Sequence, residues 1–451
     1  MNKKEMNLII ICADTFRADY LGCYGNKWIR TPHLDNFAKE SVLFENAFVE
    51  GLPTGPERIV FFTGKYTLPF RGWVPLSRDE ITLAEILQQE GYINGLVTDN
   101  FHFFEPGINY HRGFHSFKWI RGQESDKYVS APLGDNPENY LKTGWKKIPP
   151  EKKQTPDSKE HISQYLRNVH SRGKEENFFA AQVIRESERW LKENAHHKNF
   201  FLWIDCFDPH EPWDPPQKYY EMYKIPKYTG PKLISPWDIS LYAEDFTKEE
   251  RSHIKALYAG EITFVDHWIG YLLEKIKDLN LKDNTIIVFL SDHGTFLGEH
   301  NNVCKTPKKG HNTLYRELVK IPLMIYVPAG PQNMRIKDFV WTPDILPTIL
   351  YLLKIKSPFT VNGRNFWPLI EGKTDAGRSF VISGWFDLKT YYVSTKEWSY
   401  IHTPNEKHRE LYHILQDPKE TSNVIDKYPV ITDKLETYLH NFLNKLQLDE
   451  G

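Results

Sequence analysis

The sequence predicts an α/β protein: a large, mostly parallel sheet sandwiched by helices, followed by a small C-terminal antiparallel sheet with one helix. Three observations predict it. Apolar, β-branched runs such as Leu8-Ile-Ile-Ile-Cys12 lack polar alternation, as expected of strands covered on both faces. These runs alternate with helix-length segments whose apolar residues recur at helical spacing. Past residue 370 the texture changes to short strand candidates at hairpin-like intervals.

The elements follow in order. Residues 8–12 form the first strand, and Thr31-Pro32 opens a helix with Thr31 as N-cap and Pro32 in its first turn. Thr82 caps a helix over 83–90 that stops at Gly91, and 93–97 is the next strand. Helix 178–194 carries Val183, Ile184, Trp190 and Leu191 at helical spacing. Strand 200–205, a largely helical 248–277, strands 286–290 and 323–327, and helix 343–353 continue the alternation. Short strands at 380–385, 391–394, 398–402 and 410–413, then a helix over 431–446, make the C-terminal unit. Residues 142–160, rich in Lys and Pro, read as an exposed excursion. The division is therefore 1–370 for the large unit and 371–451 for the small one, at roughly 100–200 residues per domain with one large α/β unit.

Composition excludes several classes. With 57 basic and 59 acidic side chains in 451 residues, there is no electrostatic case for nucleic acid or an acidic membrane. The four cysteines, Cys12, Cys23, Cys206 and Cys304, share no C-x-x-C spacing, so neither a disulfide framework nor a zinc ribbon is indicated. Few thiols suit a reducing compartment. The apolar run after the charged N-terminus ends at Ala13, too short for a signal peptide core or a membrane span. A cytoplasmic location is expected. Trp203, Trp213 and Trp237 flank loops, and a core role is expected for most such residues.

Polar clusters follow the strands. In doubly wound sheets ligands bind beyond the carboxyl ends of the strands. Those ends here are Asp14-Thr15, Thr98-Asp-Asn-Phe-His102, Asp208-Pro-His-Glu-Pro212 and Ser291-Asp-His-Gly294. Any one of them alone reads as a turn or cap; four on one edge read as a site. Asp14, Asp292 and His293 offer oxygen and nitrogen donors for one divalent cation. Thr54-Gly-Pro-Glu57 reads as a capping box, and the same segment places a hydroxyl at a helix N-terminus with Arg58 one turn along. A nucleophile, a guanidinium and a helix N-terminus are what transfer of a phosphoryl or sulfuryl group requires.

These residues carry a family resemblance. Asp14 to Gly25, Thr31-Pro-His-Leu-Asp35, Thr54-x-Pro56-x-Arg58 with Thr63-Gly64-Lys65, Ser291 to His300 with Lys305, and Glu410-Leu-Tyr412 with Asp417 to Asn423 resemble, in order, the motifs of the sulfatase family within the alkaline phosphatase superfamily. The resemblance implies that fold and a hydrolase of anionic esters. It makes Asp14, Asp292 and His293 metal ligands, with Thr54 bridging metal and substrate. Arg58 would orient the nucleophile, His210 would bind the ester oxygen or protonate the leaving group, and Lys305 would hold a nonbridging oxygen. The implied cofactor is one divalent ion, Ca²⁺ or Mn²⁺ first, with Zn²⁺ also accommodated.

Two departures alter the implied chemistry. Sulfatases oxidise a signature Cys or Ser to formylglycine; Thr54 would give a ketone, so no formylglycine is expected. Thr as a plain alcohol nucleophile resembles the phosphodiesterase and phosphoethanolamine-transferase branches. Second, the family's Gly-Lys-x-His is replaced by Thr98-Asp-Asn-Phe-His102, and Thr98, Asn100 and His102 become candidate substrate-binding residues for a less charged group, such as a diester or phosphonate monoester. The expected function is hydrolysis of a phosphate diester or monoester, or a phosphonate ester, by in-line attack from Thr54. The expected substrate is a small-molecule or saccharide anionic ester, with neither nucleic acid nor membrane as partner. The alternatives are a sulfatase acting on sulfated sugars or aryl sulfates without formylglycine, and an inactive sulfatase-like binding protein.

Overall fold

The computed structural model describes residues 6–104, 107–142, 158–236, 242–305, 314–374, 377–406 and 408–449. Its larger sheet contains β1 (Asn7–Ala13), β2 (Val42–Phe48), β4 (Ile93–Thr98), β5 (Ser116–Trp119), β6 (Phe200–Cys206), β7 (Thr285–Leu290), β8 (Lys320–Ile321), β9 (Leu323–Tyr326) and β10 (Met334–Trp341). The order is β10-β2-β9-β7-β1-β6-β4-β5, with β8 paired to β2. β7, β1, β6, β4 and β5 run parallel, whereas β9 is antiparallel to both its neighbours. The second sheet has β11 (Phe380–Trp385), β12 (Thr390–Thr395), β13 (Trp398–Thr403) and β14 (His408–His413) in antiparallel order. Its last member is β3 (Gly51–Leu52), which pairs in parallel with Gly384 and Trp385 of β11.

The apolar first strand behaves as its composition requires. Leu8, Ile10 and Cys12 enter one core; Ile9, Ile11 and Ala13 enter the other, so successive side chains serve opposite faces. Each such buried aliphatic contributes about 1.5–3 kcal/mol. Trp203 and Trp213 are fully buried, while Trp237 lies outside the described residues. β2, β5 and β10 were not legible in the sequence. β5 is mostly exposed and alternating β10 has a bulge between Ile336 and Phe339, so neither reads as a continuous apolar run. The excursion expected over 142–160 falls mainly on residues outside those described, but its end enters a helix, Ser158–Asn168.

The helix Pro32–Lys39 starts where expected but is capped from elsewhere. The Thr31 hydroxyl accepts from the Gly22 amide at 3.0 Å instead of capping. Asp266, on the long helix Lys248–Asp278, accepts from the amides of Leu34 at 2.7 Å and His33 at 3.2 Å, the first amides after Pro32. Asp266→Ala strands two amides and is expected to cost about 1–3 kcal/mol in denaturant unfolding. Burial pushes the Asp266 carboxyl up to about 7, against the pull of the two amides. A carboxyl raised by folding lends stability that is complete at low pH and lost as pH climbs through about 7. Asp266→Asn should therefore flatten that part of the wild-type stability profile between about pH 4 and 7.

Candidate functional site

The four polar clusters expected at strand ends do lie on one edge. β7, β1, β6 and β4 are consecutive neighbours, and the residues just past them are Ser291, Asp14, Phe207 and Asp99. Asp14, Asp292 and His293 are fully buried, and one donor atom from each lies within 4.8 Å of the others. Thr15, with φ 63°, turns its amide to Asp292 Oδ1 at 2.9 Å and its hydroxyl to Asp14 Oδ1 at 2.6 Å. A left-handed backbone at a β-branched residue costs about 1–3 kcal/mol and recurs at functional sites. Nδ1 of His293 is 2.9 Å from the Gly294 carbonyl, which fixes that nitrogen as donor and leaves Nε2 with its lone pair. Burial lowers the His293 pKa to about 4, so the imidazole is neutral, the form that binds cations.

The electrostatics of the pair fit a divalent cation. Burial and then the charge of Asp292 push the Asp14 carboxyl well up. Asp292 is held down: burial opposes its ionisation, but the Arg58 charge, together with His293 and the Thr15 amide, outweighs it. Asp292 Oδ2, fully buried, has no aligned hydrogen-bond partner among the described residues. A cation between the carboxylates would remove that repulsion and satisfy that oxygen.

Thr54 stands beside this cluster. Its hydroxyl donates to Asp14 Oδ2 at 3.3 Å and lies 3.3 Å from His293 Nε2. The helix Thr54–Thr63 begins at Thr54 itself, with Pro53 before it. The expected capping box is absent: the Thr54 hydroxyl faces the carboxylate, and Glu57 accepts from the amides of Glu50 and Gly51. Glu57 thereby anchors β3, immediately upstream, and frees the Thr54 hydroxyl for the cluster. Arg58 is fully buried, forks onto Asp205 with two bonds of 2.9 Å, and contacts Asp292 at 2.5 Å and Asp14 at 3.4 Å.

His210 and Lys305 form the opposite wall. Lys305 Nζ is 2.5 Å from His210 Nε2 and 3.4 Å from Glu211 Oε1, and His210 Nδ1 is 2.5 Å from the Glu211 carbonyl. Phe207 stacks on the His210 ring at 4.1 Å. Burial, followed by the Lys305 charge, drives the His210 pKa well down, so the imidazole is neutral and accepts from the ammonium. Burial opposes the Lys305 charge, but Glu211, Asp14 and Glu124 outweigh it and raise its pKa.

The third group divides. Thr98 accepts from the Asn100 amide, Asn100 Oδ1 from the His102 amide; both side chains are buried and make a turn, with Asn100 Nδ2 unpaired among the described residues. His102 reaches the site through Glu124: its Nε2 is 3.3 Å from Glu124 Oε2, and Glu124 Oε1 is 3.8 Å from His210 Nδ1. Burial would raise Glu124, but the His102 hydrogen bond and neighbouring imidazoles hold its carboxyl down at about 2. Trp73, partly exposed, packs edge-on to His102 at 5.1 Å and over Gly55, where a methyl group would meet its ring at 3.0 Å. Asp99 is kept from the anion site. Its carboxylate takes the Phe207 amide at 2.7 Å and Gln123, which also bonds Asp208.

Sequence reasoning missed Asp205, Glu124 and Glu211 as site residues. Asp205 carried a signal, an acid inside the strand run Phe-Phe-Leu-Trp-Ile-Asp that a buried sheet tolerates only with a partner. Glu124 lies in the polar loop 119–126, which the sequence offers as a lining of the pocket without assigning it a role, because its partner His102 is distant in sequence.

Known proteins similar to this chain bear on its family and fold. Residues 6–355 match the model of the sulfatase family, and residues 309–449 match that of the N-sulphoglucosamine sulphohydrolase C-terminal region. The chain is 28% identical to an arylsulfatase of Clostridium perfringens, over 93% of this chain and 90% of that protein. Its fold is similar to the phosphonate monoester hydrolase of Agrobacterium radiobacter, with TM-score 0.74, 20% identity and coverage of 98% and 96%. A structure solved in complex with its substrate D-glucosamine-2-N,6-O-disulfate is similar at TM-score 0.75, 18% identity and 98% coverage of both chains. Among the described residues no helix is long and apolar enough to cross a membrane. The chain belongs to the sulfatase family, whose alkaline phosphatase-like fold it has, and is a hydrolase of sulfuric or phosphoric esters.

Proposed function

We propose that this enzyme hydrolyses a monoanionic phosphorus ester, a phosphate diester or phosphonate monoester, with Thr54 as nucleophile. The observation that carries the reading is the Thr54 hydroxyl, 3.3 Å from both Asp14 and His293 at the N-terminus of a helix. A divalent ion held by Asp14, Asp292 and His293 would supply charge that acidifies this hydroxyl and screens the ester oxygens. The hydroxyl proton leaves toward Asp14 Oδ2, the Thr54 oxygen bonds to phosphorus, and the bond to the leaving alcohol breaks. Arg58, locked by Asp205, meets the charge on the equatorial oxygens. Lys305 and His210 share a proton across 2.5 Å and deliver it to the departing oxygen. Water then attacks phosphorus and passes its proton back to that pair, while the bond to Thr54 breaks and its oxygen takes back the proton held at Asp14.

Charge favours a monoanion. Asp14, Asp205, Asp292, Glu124 and Glu211 surround two permanent cations, Arg58 and Lys305. Even with a divalent ion added, the group retains negative charge, so a dianionic monoester would be repelled more than a diester. The partly exposed Trp73, edge-on to His102 at the rim, supplies an aromatic contact for the alcohol moiety.

A second reading is a sulfate ester of a saccharide, hydrolysed without formylglycine; the arylsulfatase relative and the monoanionic charge of a sulfate ester favour it. A panel of aryl sulfate, sugar sulfate, phosphate monoester, phosphate diester and phosphonate monoester, each with Ca²⁺, Mn²⁺ or Zn²⁺, separates them. The diester or phosphonate should show the highest kcat/KM, and chelation of the metal should abolish it. Faster hydrolysis of a sulfate ester would replace the first reading by the second.

A further inference from the structure

A second group of metal-type donors lies in the C-terminal sheet. His402 on β13, and Glu436 and His440 on the helix Pro429–Asp449, each bring one donor atom within 4.8 Å of the others. Glu436 and His440 are four residues apart, hence on one helix face. His402 sits directly across from that face: its Nδ1 is 3.7 Å from Glu436 Oε1, and its ring is 6.5 Å from that of His440. Ligand atoms about 2 Å from a tetrahedral ion lie about 3.3 Å apart, which the His402–Glu436 pair approaches; the His440 ring has to move inward by about 1 Å to join them.

Two further observations single out a ligand here. His402 Nδ1 is shielded from solvent and has no hydrogen-bond partner among the described residues. An imidazole nitrogen so placed costs free energy unless something binds it. Glu436 is already divided between two tasks. Arg409, the cross-strand neighbour of His402, holds Oε2 at 3.2 Å, which leaves Oε1 facing the two imidazoles. A carboxylate steadied on one oxygen and offering the other is how metal ligands are oriented from outside the coordination sphere.

We propose that His402, Glu436 and His440 form a divalent transition-metal site, of the two-histidine, one-carboxylate type that Zn²⁺ accepts, pinning the terminal helix to β13. Two imidazoles select against Ca²⁺ and Mg²⁺ and leave the fourth position to water. The site is separate from the hydrolytic cluster, and its role is to fasten the C-terminal helix.

The test uses the full chain, stripped with chelator and titrated with ZnCl₂ by calorimetry, with Co²⁺ as a spectroscopic substitute. His440 is exposed, so His440→Ala should fold as the wild type does. It should bind one equivalent fewer, or bind that equivalent about 10–100-fold more weakly, and lose the corresponding Co²⁺ visible band. Zn²⁺ should raise the wild-type Tm more than that of the variant, by mass action on the folded state. Hydrolysis should be unchanged in His440→Ala, since the residue lies outside the ester site. Glu436→Gln, which keeps a side chain of the same shape, should reproduce the loss. Equal stoichiometry, equal Tm shifts and an identical Co²⁺ spectrum in wild type and both variants would overturn the proposal.

Discussion

Thr54→Ala is expected to reduce kcat by about 10³-fold or more while divalent metal binding persists. The alanine removes the one hydroxyl that touches both Asp14 and His293, and leaves those ligands with their other partners: Asp14 with Thr15 and Arg58, His293 with Gly294. Thr54→Ser keeps the oxygen and should retain substantial activity; the lost methyl loosens its rotamer, and kcat should fall far less than in the alanine variant. Steady-state kinetics on the best substrate of the panel, with calorimetric metal titration on the same samples, measures both. Undiminished turnover by the alanine variant would remove Thr54 from the mechanism and point to water activated by the cluster as nucleophile.

Asp205→Ala is expected to be the most destabilising single change in the site, at about 3–5 kcal/mol. The reason is the guanidinium it leaves behind. Arg58 is fully buried and draws two of its contacts from Asp205, which also accepts from Trp203 Nε1 at 2.9 Å. Without that carboxylate, a buried cation keeps only its approaches to Asp292 and Asp14. Denaturant unfolding reads the loss, and Asp205→Asn should show a smaller one because the amide oxygen still accepts one bond. If Asp205→Ala costs no more than a surface substitution, the ion pair does not hold the site together. Activity should collapse in parallel, since a mobile Arg58 no longer fixes the charge that meets the ester.

The same residues show what a sequence can disclose. Asp14, Asp292 and His293 were legible because each follows an apolar run that must end at a sheet edge, and parallel topology gathers such ends. Thr54 and Arg58 were legible from spacing along one helix. The partners Asp205, Glu124 and Glu211 were not, because their importance lies in which cation they face, and that is settled by β6 and a loop brought together from separate stretches. Caps illustrate the same division. Thr82 forms its capping box with Glu85, three residues away, as local rules require. Thr31 and Thr54, with equally suitable sequences, give their hydroxyls to other partners: Asp266 takes the first amides of the one helix, and Glu57 turns back to the Glu50 and Gly51 amides in the other. Elements with uninterrupted apolar runs were found; β5, β8 and β10, short or amphipathic edge strands, carry too little pattern to stand out.

Gly51 and Leu52 lie three and two residues before Thr54, yet their hydrogen-bonded neighbours are Gly384 and Trp385, more than three hundred positions downstream. Gly51 has no room for a side chain, since a methyl group there would overlap the Thr67 hydroxyl. The polypeptide reaching the Thr54 hydroxyl is thus tied to the C-terminal sheet, and modularity fails at this point. A gene shortened at codon 370 would encode every proposed catalytic side chain and leave β3 with its Glu57 anchor but without its partner strand. Supplying residues 371–451 as a separate peptide should rescue such a fragment, and split-protein complementation would read that dependence directly.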